Sequence, residues 1–141
     1  MLCFISIFPI FAYGVSQWQI VIDNTSAVII DSPIMALLDE KSDSTKVSSI
    51  NWGDVYPDSH VTRTFWIYND HPEITVKLYM ATHNWSPLIT ASHMILEWDR
   101  EEYILAPKTS VMAKFTLTIS AEVMNITSFS FKIAITGVPV D

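Results

Sequence analysis

Three segments in the second half of the chain, residues 74–80, 111–119 and 129–135, alternate apolar and polar side chains almost without a break. A period of two sends successive side chains to opposite faces of a strand, so each segment has one face for a core and one for water. Helical periodicity is weak throughout. Short β-branched and aromatic runs are instead punctuated at close intervals by Gly, Pro, Asn and Asp, which predicts an all-β chain: an antiparallel β-sandwich of about seven or eight strands.

The remaining elements follow from the same signals. Residues 18–22 and 27–30 read as short strands, and Pro33 opens another over residues 34–38. The polar stretch 39–46 reads as a hairpin loop leading to residues 47–52. Trp52-Gly53-Asp54-Val55-Tyr56-Pro57-Asp58-Ser59 carries the Gly and Pro of a turn and leads into a strand at 61–68; Asn69-Asp70-His71-Pro72-Glu73 is the next turn. Residues 94–99 and 103–105 complete the set. Only 88–94 and 120–126 leave room for a helical turn, and a short one.

At 141 residues the chain is long enough for one domain with a substantial core. Half of its residues are hydrophobic and 16% are charged, a composition that folds. With a formal net charge of -7 and its eight Lys and Arg scattered singly, the chain has no basic footprint for nucleic acid. Residues 2–12 resemble the apolar centre of a secretory signal, followed by small residues suited to cleavage but not preceded by a basic segment; a buried N-terminal strand is the other reading. About eleven apolar residues do not span a bilayer, and no later stretch is longer. The expected organisation is a signal peptide over 1–16, an N-terminal extension or strand over 17–33, a sandwich domain over 34–137 and a tail over 138–141. The expected location is secreted or at the cell surface, with no transmembrane span in the mature chain. Cys3, the only cysteine, lies in the removable segment, which excludes disulfides and Cys-based zinc from the rest.

Six short motifs then occur in order: Ile50-Asn51-Trp52-Gly53-Asp54-Val55-Tyr56-Pro57, Trp66-Ile67-Tyr68-Asn69, Asn84-Trp85-Ser86-Pro87, Leu96-Glu97-Trp98-Asp99, Leu105-Ala106-Pro107 and Phe129-Ser130-Phe131-Lys132-Ile133. Together they resemble a β-sandwich module of archaeal secreted and cell-surface proteins, immunoglobulin-like in architecture. The resemblance covers about residues 34–137. It implies a surface location and no particular activity. Two departures fall in turns: Asp58 stands where such modules place Gly after the Pro of the first turn, and Arg100-Glu101-Glu102 lacks the glycine often found in that hairpin.

Catalytic constellations are scarce. Gly14, Gly53 and Gly137 are the only glycines, so neither Gly-rich phosphate loop can be written. There is no GxSxG or HExxH motif, and His60, His71, His83 and His93 fall about ten residues apart in turns or at strand ends, which favours solvated histidines over a zinc site. Glu97, Asp99, Glu101 and Glu102 form the densest carboxylate group. A calcium ion or a glycosidase-like acid pair could be built there, against the simpler reading of an acidic hairpin tip. No catalytic residue, cofactor site or metal site is assigned.

Interaction surfaces are better candidates. Trp66 and Tyr68 share a strand face with Thr62 and Thr64 and offer an aromatic platform for a sugar or a partner chain, or else, with Trp52, Trp85 and Trp98, fill a core. Trp18, Ile20 and Ile22 fall on one side of an N-terminal strand that either closes its own sheet or pairs with the edge of a neighbouring subunit. Asn24, Asn84 and Asn125 head sequons and are glycan acceptors if the chain is exported. The expectation is a non-enzymatic surface protein with a structural or interaction role, in one version a surface-assembly subunit, whose partner is a protein or another copy of itself. A glycan-binding module is the alternative, and a hydrolase is a distant third.

Overall fold

In the computed structural model the described residues are 21–30, 35–38, 46–123, 126 and 128–140. They form nine strands and one 3-10 turn: β1 Val21–Ile30, β2 Met35–Leu38, β3 Ser49–Val55, β4 Ser59–Asn69, β5 Thr75–Ser86, the turn Leu88–Ser92, β6 Met94–Trp98, β7 Ile104–Leu105, β8 Ser110–Ile119 and β9 Ser130–Val140. One sheet has the order β3-β1-β9-β5-β7 and the other β2-β4-β8-β6. All pairings are antiparallel except β1 with β9, where Thr25 to Ile30 run alongside Ser130 to Ile135.

The alternation that predicts the sheets also builds the core. In β8, Val111, Ala113, Phe115, Leu117 and Ile119 are buried, while Met112, Lys114 and Thr118 between them are exposed. Phe131, Ile133 and Ile135 of β9 and Val76 and Leu78 of β5 supply the inner face of the other sheet. Trp52 is fully buried in this core. Its ring stacks on Phe131 at 6.3 Å between centroids, and Trp85 covers the other part of that cluster at 4.1 Å from Phe131. Rings of this size each bury a large apolar area.

Several elements run further than their turn residues suggest. The segment read as a turn at Trp52-Gly53 is part of β3: Asn24 lies opposite Gly53 and Thr25 opposite Asn51, so Trp52 is the extra residue of a bulge. Gly53 adopts φ 71°, where a side chain would strain the backbone, and its N–H is taken by Asn51 Oδ1 at 2.8 Å. β5 continues through Asn84-Trp85-Ser86 with a second irregularity between His83 and Ser86, and β9 continues past Gly137 so that Val138 and Val140 pair with Lys77 and Thr75. The short helical element appears at Leu88–Ser92; residues 121 and 122 form only a turn. At Asp58 and Glu102, where glycine is missing from the motif pattern, the backbone is nonetheless left-handed, with φ 56° and 63°.

Candidate functional site

Several polar side chains tie one sheet to the other. Asn69, at the end of β4, is fully buried. Its Nδ2 donates to the carbonyls of Ile74 at 2.7 Å and Leu105 at 3.2 Å, and its Oδ1 accepts from His71 N at 3.1 Å. The main chain of the same residue bonds to Thr109 O and Lys108 N. A buried amide with both ends occupied fixes the crossing from β4 to β5 and to β7. His71 continues the turn: its Nδ1 accepts from the amides of Glu73 and Ile74, both at 3.0 Å. That imidazole is therefore a turn cap.

Arg63 points inward from β4 and reaches the bulge of β3. Its Nε donates to Asn51 O and its Nη2 to Trp52 O, each at 3.1 Å, and its Nη1 returns to Thr62 O. The guanidinium thus holds two successive carbonyls at the outer strand of the five-stranded sheet. On the far side of that bulge, the Trp52 indole N–H donates to Ser26 Oγ at 3.2 Å, with Ser26 itself fully buried.

The carboxylates after β6 are arranged in the same way. Asp99 accepts the amide of Lys114 at 2.9 Å, and Arg100 Nε donates to Met112 O at 2.7 Å. Both partners belong to the part of β8 that extends beyond Trp98, so two side chains take the place of a strand that has ended. Glu101 Oε1 accepts the Trp98 indole at 2.7 Å and the Met80 amide at 3.1 Å, joining β6 of one sheet to β5 of the other. The chain then pairs with β5 through Glu102 N to Leu78 O and Leu78 N to Tyr103 O. Arg100 also lies over the Tyr103 ring, 4.9 Å from its centroid.

Chemically, this group stabilises main chain. Glu97 stands apart on the outer face of β6, opposite Thr116, and is exposed. Among the described residues no three His, Cys, Asp or Glu side chains come together as a metal site. Lys108 pairs with Asp70 at 3.0 Å on the surface, and that hydrogen bond holds its ammonium above the ordinary lysine range against a smaller desolvation effect. No helix among the described residues is long and apolar enough to cross a membrane.

The sequence-derived interaction residues are distributed over separate places. Trp66 and Tyr68 are half-buried on the outer face of β4, with Met112, 46% exposed, opposite Trp66 on β8 and Leu38 opposite it on β2. Trp85 and Trp98 are half-buried and pack against the core, with indole partners at Thr82 and Glu101. Trp18, Ile20 and Asn125 lie outside the described residues, and Ile22 and Asn24 fall in β1. Asn84 is exposed at φ 58°. What sequence reasoning missed is Asn69, Arg63 and Glu101 as inter-sheet ties. The partners that join the sheets are mostly distant in the chain, and the one local signal, at Arg63, was a polar residue on the strand face it shares with Phe65 and Ile67.

Compared with protein-family models, with curated proteins and with solved structures, the chain matches none of them.

Proposed function

We propose that the chain is a non-enzymatic secreted or cell-surface protein with a structural or interaction role, built on an immunoglobulin-like sandwich of the archaeal surface type that its motifs resemble. The observation that carries the reading is the use of the acidic cluster: Asp99 and Glu101 accept main-chain amides and an indole, which is the work of a scaffold. The apolar, uncharged segment at residues 2–12 supports export. β1, which includes Ile22, lies between β3 and β9 of its own sheet, whereas Trp18 and Ile20 of the strand that could pair with a neighbour lie outside the described residues. The test is fractionation of the native cells with an intact mass of the recovered protein. Recovery at the surface or outside, with residues 1–16 removed, agrees with the reading; an unprocessed chain in the cytosol contradicts it.

A second reading is favoured by one feature, the row Trp66 and Met112 beside Tyr68 on the outer face of the four-stranded sheet, which ends at the buried Leu38 of β2. Half-buried indole and phenol rings on a flat strand surface suit stacking on a sugar ring. Binding on a glycan array that disappears in Trp66→Ala, with the fold retained, would make the protein a glycan-binding module.

A further inference from the structure

The three sequons stand in unlike places. Asn24 falls within β1, a strand with neighbours on both sides, and Asn125 lies outside the described residues. Asn84 falls near the end of β5, where the ladder with β9 is interrupted. His83 pairs with Lys132 and Ser86 with Ser130, so Asn84 and Trp85 together stand opposite the single residue Phe131. A bulge of this kind re-aims a side chain and ends regular pairing. Asn84 has a left-handed backbone there, φ 58°, a conformation that Asn tolerates better than most residues.

The bulge gives the sequon an anchored middle and two presented ends. The Trp85 ring lies 4.1 Å from that of Phe131, centroid to centroid, and its indole N–H donates to Thr82 Oγ1 at 3.2 Å. Asn84 and Ser86, on either side of it, are both exposed. Among the described residues no hydrogen bond occupies the Asn84 carboxamide or the Ser86 hydroxyl. Those are the two groups that a sequon-reading transferase must reach: the amide nitrogen that takes the sugar and the hydroxyl two residues on. Both can be reached without opening the core, because the side chain that enters it is Trp85.

We propose that Asn84 is an N-glycosylation site of the exported protein. The donor is an oligosaccharide activated on a lipid phosphate, used by a membrane transferase on the export route. Asn84 Nδ2 attacks the anomeric carbon of that sugar. The bond from this carbon to the phosphate oxygen breaks, a carbon–nitrogen bond forms, one amide proton passes to a base of the transferase, and the lipid phosphate leaves. Pro87 follows the sequon directly. It holds Ser86 extended and has no N–H of its own, which narrows the ways an enzyme can bend the segment, so modification of a fraction of the molecules is expected. The inference rests on export, which is part of the proposed function, and adds to it the position and the chemistry of a modification.

The experiment is peptide mapping by mass spectrometry of the protein recovered from the native cells and their medium, with variants expressed in the same cells. In the wild type, part of the peptide that contains residue 84 should carry a glycan mass on Asn84. Asn84→Asp, which keeps a residue suited to the left-handed backbone, and Ser86→Ala, at an exposed position, should both lose that mass while the protein still folds. Ser86→Thr should retain it, and Pro87→Ala should raise the modified fraction. Protein found outside the cell with Asn84 unmodified throughout overturns the inference and leaves export standing. Protein confined to the cytosol overturns export and the inference with it. A mass on Asn84 that persists in Ser86→Ala also overturns the proposal, because the sequon would then not direct it.

Discussion

Two adjoining stretches of this chain, Met94–Trp98 and the three residues that follow it, treat main-chain hydrogen bonding in opposite ways. In the second, Asp99, Arg100 and Glu101 are all bonded to backbone groups of strands that have lost a neighbour. In the first, a strand of five residues pairs through its own main chain with β8, from Met94 opposite Ile119 to Trp98 opposite Phe115. Charged side chains can close a sheet edge without adding a strand, because a carboxylate accepts and a guanidinium donates in the geometry of the missing ladder. Charge density in the sequence therefore marks a closed edge here.

The largest expected effect comes from breaking the buried counterpart of these ties. Asn69→Ala leaves the carbonyls of Ile74 and Leu105 and the amide of His71 without their partner, and should cost about 2–3 kcal/mol in denaturant unfolding. Glu101→Ala removes the shared acceptor of Trp98 and Met80 at a more exposed place, so a loss of about 1–2 kcal/mol is expected, with a change in the tryptophan fluorescence of the native state. Its neighbour gives the opposite sign. Glu102 holds a left-handed backbone at φ 63°, and Glu102→Gly should raise stability by up to about 1 kcal/mol in the same assay. The smallest effect belongs to the exposed Glu97 of β6: Glu97→Gln should leave stability within about 0.5 kcal/mol.

The sequence makes part of this legible. Alternation locates β8, β9 and most of β5, because period two is a local property written on consecutive residues. Trp52-Gly53 misleads, since a glycine that makes a bulge inside β3 looks in sequence like a glycine that makes a turn. Asn84 and Ser86 mislead in the same way at the end of β5, where the ladder with β9 resumes at Ser86 after an irregularity. The parallel pairing of β1 with β9 joins residues at opposite ends of the chain, and no local pattern encodes it. The acidic cluster is visible as a cluster, whereas its role depends on Met80 and Lys114, which only the fold brings beside it. Trp66 and Tyr68 are legible as one face, because their spacing alone sets that.

Residue-resolved amide hydrogen exchange addresses the contrast most directly. The amides of Met80 and Lys114 should be protected at every concentration, because Glu101 and Asp99 hold them. Rapid exchange at Met80 and Lys114 would contradict the account.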